Sequence, residues 1–321
     1  MDGRRRRPLS SDVTESQSAF RRVSFALPDG SMAGIAFGRE TSSPDIVFLH
    51  ATGFNAHAYR VMLAPLGQRY HVLALDFRGH GRTTLPPRRF GYASWACHRD
   101  DVIAVLERCA SAPVTLAGHS LGGTVALLVA AMRPDLVASI ALADPVILPP
   151  FAAAAIEAPL APLLLRYIFP LARNAARRRA RFADRESAVA AFTGRGVFKT
   201  FTREMIEDYV ADGLIEDGHG AMKLACTPEY EAATFSAHRN RPWRAYKKLT
   251  RPMVILRAEK RSTLSAAAIG RIAAMQPQAR IATVEGAGHM LPMERPDRVR
   301  AAIETAMMMG DRDWGLGTEV S

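Results

Sequence analysis

The sequence predicts an α/β fold: a mostly parallel, eight-stranded sheet with helices on both faces and a helical cap inserted into it. Three observations lead there. Short apolar runs rich in Val, Ile and Leu alternate with longer stretches of helical spacing, the pattern of parallel strands buried on both faces. A Gly-x-Ser-x-Gly turn at 118–122 joins one such run to one such stretch. From about 147 to 246 the alternation stops, and the chain reads as helices and loops without a convincing strand.

Taken in order, an opening strand at Val23 to Ala26 pairs antiparallel with its neighbour at Met32 to Gly38. Further strands are expected near Ile46 to Leu49, Val72 to Asp76, Val114 to Ala117, Ile140 to Ala143, Met253 to Leu256 and Arg280 to Val284. Helical spacing marks Trp95 to Arg108, Leu121 to Met132, Ser265 to Met275 and Pro296 to Met309. Ser265 suits a helix start because its hydroxyl can accept an otherwise orphaned backbone N–H, and Pro296 because a first helical residue needs no N–H. The expected division is a disordered basic tail over 1–22, a core formed by 23–146 and 247–309, a cap over 147–246 and a short tail over 310–321.

A chain of 321 residues with 48% apolar content can form one large domain with an insertion and a sizeable core. Its net charge of +11 invites a nucleic-acid reading, but the charge is local. Residues 1–22 hold six Arg against three acidic residues, residues 166–203 hold ten Arg or Lys against two, and these segments account for the whole excess. The core is formally neutral, so nucleic acid is not an expected partner. Arg4 to Arg7 precede Pro8 and a polar run, with no apolar stretch or cleavage site behind them, so no secretory signal is read and a cytoplasmic location is expected. The longest apolar stretch, Ala152 to Ala172, is broken by Glu157, Arg166 and prolines, which argues against stable membrane insertion. Cys97, Cys109 and Cys226 are odd in number and suggest no disulfide framework.

The chemistry concentrates at Gly118-His119-Ser120-Leu121-Gly122-Gly123. A serine on a sharp strand-to-helix turn has its hydroxyl lifted above the sheet edge, and glycines flank it because a Cβ there would strike the adjoining strand or helix. The backbone N–H of Leu121 opens the helix, where the dipole favours developing negative charge. Three further motifs stand along the chain. They are His50-Ala51-Thr52-Gly53-Phe54 after the third strand, Asp76-Phe77-Arg78-Gly79-His80-Gly81 after the fourth, and Gly286-Ala287-Gly288-His289 after the last. On these four motifs the chain resembles the α/β-hydrolase superfamily over roughly residues 23–147 and 247–307, in its serine-nucleophile branch with a helical cap.

The resemblance implies Ser120 as nucleophile and His289 as its general base, with the oxyanion hole formed by the N–H groups of Leu121 and Phe54; Thr52 is the rival donor. Neither cofactor nor metal is implied. His50 and His80 read as loop-holding residues and His119 as a support for the turn. The chain departs from the family pattern at the triad acid: Arg261 or Ser262 stands where most relatives carry aspartate. Asp144, ending the preceding strand, is the favoured acid, and Glu259, beside the usual loop, is the alternative; both keep the order Ser, acid, His. The competing explanations are a loop-capping role for Asp144 before Pro145 and a surface ion pair for Glu259.

The cap would supply the substrate pocket. Phe151, Leu160, Leu163 to Leu165, Tyr167, Phe169, Phe182, Phe192, Phe198 and Tyr209 offer apolar surface, most of it cap core. Its arginines, Arg173, Arg177, Arg178, Arg179 and Arg181, fit a solvated face, attraction of an acidic substrate, an anionic membrane surface or nucleic acid, the last disfavoured because no aromatic residues are interleaved to stack on bases. The resulting expectation is a serine hydrolase acting on a carboxylic ester or related acyl bond of a small, apolar substrate, with a homodimer as the oligomer to consider. Carbon–carbon hydrolysis or perhydrolysis by the same triad, and a fold-retaining binding protein without chemistry, are the alternatives.

Overall fold

The computed structural model describes residues 20–88, 91–149 and 170–315, with side chains through 311. The core elements run β1 (Arg21–Leu27), β2 (Gly30–Phe37), β3 (Ile46–Leu49), β4 (Val72–Leu75), α1 (Ala96–Cys109), β5 (Val114–His119), α2 (Leu121–Met132) and β6 (Val137–Ala143). An inserted segment follows, holding α3 (Pro170–Ala176), β7 (Arg181–Phe182), α4 (Arg185–Phe192), α5 (Arg203–Gly213), β8 (Leu214–Glu216), β9 (Met222–Leu224), α6 (Pro228–Ser236) and α7 (Pro242–Lys248). The core then resumes with β10 (Met253–Ala258), α8 (Ala266–Met275), β11 (Arg280–Val284), the single turn α9 (Leu291–Glu294) and α10 (Pro296–Gly315).

The main sheet has eight strands in the order β1-β2-β4-β3-β5-β6-β10-β11. β2 is antiparallel to both its neighbours, and every later pairing is parallel. Alternate side chains of the central strands feed two separate cores, as the period of two in a strand requires. Val47, Leu49, Leu73 and Leu75 join α1, α2, α7 and α8 on one face. Ile46, Phe48, Val72 and Ala74 join the turn at Arg60–Leu63 and α10 on the other. Because both faces are covered, the central strands read in sequence as unbroken apolar runs.

Three expectations change. Arg21 and Arg22 belong to β1, so the core begins before Val23, while residues 1–19 of the expected tail lie outside the described residues. α10 continues past 309 to Gly315. The insertion contains a small antiparallel sheet in the order β7-β9-β8, where no strand was expected. Strands of two or three residues are too short to display alternation, so only pairing reveals them. Most of the apolar stretch 152–172, with Phe151, Leu160, Leu163 to Leu165, Tyr167 and Phe169, lies outside the described residues. Among the described residues no helix is long and apolar enough to cross a membrane.

Candidate active site

The turn between β5 and α2 places Ser120 at φ 55° and ψ −114°, a conformation L-residues avoid. Two local features hold it there. The Ser120 N–H donates to the Ala143 carbonyl at the end of β6 (3.0 Å). A Cβ on Gly122 would overlap the Leu49 carbonyl of β3, so helix and sheet approach closely enough to fix the turn only because that residue is glycine. α2 is buried nearly throughout, so its N-terminus has no freedom to withdraw.

His289 follows β11 in a loop gripped by two carboxylates: Glu259 accepts the Gly286 N–H (2.8 Å) and Glu294 the Gly288 N–H (2.7 Å). Its Nε2 lies 3.0 Å from Ser120 Oγ and its Nδ1 2.6 Å from Asp144 Oδ2. An ionised carboxylate only accepts, so Nδ1 carries the proton and Nε2 offers its lone pair to the serine hydroxyl. Ser120, His289 and Asp144 are thus brought into one hydrogen-bonded line. Glu259, the alternative acid, bonds the backbone of the histidine loop while Asp144 takes the imidazole.

Asp144 is fully buried at φ 44°, and its N–H donates to Leu256 O (2.7 Å). Its Oδ1 accepts from Ala258 N–H (2.9 Å) and Ser262 Oγ (2.5 Å), and its Oδ2 from Thr263 N–H (3.0 Å) and Thr263 Oγ1 (3.2 Å) as well as from His289. Burial pushes this carboxyl up; the His289 imidazole, the Ser262 hydroxyl and the Ala258 N–H together outweigh burial and hold it below the usual aspartate value. The loop after β10, through Ser262 and Thr263, therefore supplies donors to a carboxylate on the neighbouring strand. Sequence reading missed Ser262 and Thr263 in this capacity; adjacent hydroxyl residues in the loop after β10 were the available signal.

The loop after β3 commits two of its backbone donors. The Phe54 N–H is spent in a turn on Ala51 O (3.1 Å) and the Gly53 N–H on His80 Nε2 (3.1 Å). Thr52 N–H has no bonded acceptor among the described residues. His50 Nδ1 donates to Ala51 O (2.7 Å) while its Nε2 accepts from Phe77 N–H (2.9 Å). Burial lowers the His50 pKa well below the usual histidine value and brings His80 to about 4. Both rings are neutral and serve as fixed acceptors. Arg78 locks the neighbouring motif onto Asp101 with two bonds of 2.7 Å.

The insertion meets the same loop. Phe54 packs against Tyr209, Phe198 and Phe201 with ring centroids 5.3–6.1 Å apart, and Asn55 Nδ2 donates to Tyr209 O (2.9 Å). Phe182 and Phe192 continue this aromatic cluster. Of the arginine cluster, Arg173, Arg177, Arg179 and Arg181 are exposed, whereas Arg178 turns inward to Glu231 (2.7 Å) and the Tyr209 hydroxyl (3.0 Å). Glu231 in turn occupies the space that a side chain on Gly53 would need. Among the described residues no three His, Cys, Asp or Glu side chains gather into a metal site.

Comparison with known proteins agrees with this architecture. A 2-(acetamidomethylene)succinate hydrolase of Mesorhizobium japonicum is 27% identical over 300 residues, covering 92% of this chain and 97% of that protein. An esterase of Mycobacterium tuberculosis is 35% identical over 115 residues, 36% of this chain and 37% of the esterase. The crystal structure of an E-2-(acetamidomethylene)succinate hydrolase superposes with a TM-score of 0.74 at 23% identity, covering 90% of this chain and all of that one, a likeness of fold. The alpha/beta hydrolase family profile matches residues 46–302, and the chain belongs to the alpha/beta hydrolase family.

Proposed function

We propose that the protein is a serine hydrolase that cleaves a carboxylic ester, or a related acyl bond, of a small apolar substrate through an acyl-Ser120 intermediate. One observation carries the reading: Ser120 Oγ, His289 and Asp144 stand in line at 3.0 and 2.6 Å. His289 takes the serine proton as Oγ attacks the acyl carbon, returns it to the leaving group, and then activates water for deacylation. Asp144 holds the proton-bearing tautomer and stabilises the imidazolium. The N–H groups of Thr52 and Leu121 receive the oxyanion, a contribution for which loss of one donor costs about 2.7–4 kcal/mol. The insertion acts as a cap, fastened to the loop after β3 where Phe198, Phe201 and Tyr209 pack on Phe54. Serine at the elbow disfavours alkyl transfer to an aspartate nucleophile.

A second reading, an acyl or amide substrate bearing carboxylates, draws support from the basic insertion and from a full-length relative named for a substituted succinate. Labelling with a fluorophosphonate, with Ser120→Ala as control, tests the first claim: folded wild-type protein that takes no label ends it. A panel of esters graded in acyl length, neutral and carboxylate-bearing, then separates the two substrate classes by kcat/KM.

A further inference from the structure

Three segments must hold register for this chemistry: the loop after β3, the elbow after β5 and the loop carrying His289. One pair of buried side chains touches all three. The Tyr59 hydroxyl accepts the Ala51 N–H (3.0 Å) and lies 2.8 Å from Nδ1 of His119; Nε2 of His119 lies 2.8 Å from the His289 backbone oxygen. Tyr59 and His119 are no more than 1% exposed.

The direction of each bond follows from the inventory of donors. The His289 carbonyl can only accept, so His119 Nε2 bears the proton and Nδ1 offers a lone pair. Tyr59 must then donate to Nδ1, which leaves its oxygen for the Ala51 N–H. The opposite tautomer would set two lone pairs against each other inside the core. Burial and the His289 imidazole, with ring centroids 5.0 Å apart, push the His119 pKa down to about 3, so the ring remains neutral and its tautomer constant.

We propose that Tyr59 and His119 are positioning residues, a relay that fixes the spacing of oxyanion loop, elbow and histidine loop and so aligns His289 with Ser120. The proposal rests on the triad reading given above. Packing alone does not require the hydroxyl: a phenylalanine at 59 would fill the same space against Phe48 and Phe54.

Tyr59→Phe therefore deletes the relay while keeping the ring. The expected result for an activated ester is a kcat lower by about ten- to a hundredfold with KM within about twofold, because a small misplacement of reacting groups carries that penalty. His119→Gln, whose amide nitrogen can still reach the His289 carbonyl, should retain more kcat than His119→Ala. The double variant Tyr59→Phe/His119→Ala should lose no more than His119→Ala alone, as members of one network do. A folded Tyr59→Phe protein with kcat within about twofold of wild type, or with the change confined to KM, overturns the relay; this arm decides even if His119→Ala fails to fold. Ser120→Ala run alongside separates the readings: full activity there sinks the triad and the relay together, whereas its loss beside an unaltered Tyr59→Phe condemns the relay alone.

Discussion

Asp144 shows how much a single carboxylate can be asked to do. Its two oxygens accept from Ala258, Ser262, Thr263 and His289, so a group with no solvent contact stays ionised. Asp144→Asn would keep the shape but could present the wrong atom to His289 Nδ1. Its kcat should fall by about 10³- to 10⁴-fold, with Glu259→Gln within about threefold of wild type in the same ester assay. The reverse ranking would transfer the acid to Glu259. Ser262→Ala tests the cradle more gently. It removes the 2.5 Å bond to a buried charge and should lower unfolding stability by about 1.5–3 kcal/mol in urea titration while cutting kcat less than Asp144→Asn does.

The elbow is a property of two elements in contact, not of its serine. α2 runs close against β3 and β5, with Gly122 at the point where the Leu49 carbonyl would strike a side chain. Gly122→Ala should cost about 3 kcal/mol, read as a lowered denaturation midpoint, because neither backbone can give way. This element was legible in the sequence: strand, turn and helix are contiguous, and each glycine answers a local steric demand. The loop after β3 was less so. Whether Phe54 or Thr52 keeps a free N–H depends on which backbone groups are spent on Ala51 O and His80 Nε2, and side-chain identity carries little of that information.

The insertion is fastened to the core by charged and polar bonds across long sequence separations. Arg60 pairs with Asp208 and Glu204, and Arg22 of β1 forms a two-bond contact with Asp212 of α5 at 2.8 and 2.9 Å. Burial raises the Asp212 pKa, but His57 at 3.3 Å and Arg22 outweigh it and bring the group down to about 2. A carboxylate depressed in the folded state stabilises fully above its unfolded value near 3.8 and loses that contribution as pH falls towards 2. Between pH 5 and pH 2 the wild type should therefore lose about 2 kcal/mol more stability than Asp212→Asn, measured from denaturant midpoints at each pH. Equal slopes would show that the contact contributes nothing.

The amino-acid order was enough for the alternation of strand and helix, the positions of Ser120 and His289, and the confinement of charge to two segments. Each is encoded within a few neighbouring residues by periodicity, glycine placement or composition. The meeting of Asp144 with His289, the donors from Ser262 and Thr263, the free N–H of Thr52 and the Tyr59–His119 relay arise where separate strands end side by side at one edge of the sheet. Those contacts join residues as much as 170 positions apart, and they exist because the strand order sets β6 between β5 and β10. Folding thus brings the carboxylate from β6, the hydroxyls from the loop after β10 and the imidazole after β11 within hydrogen-bonding reach.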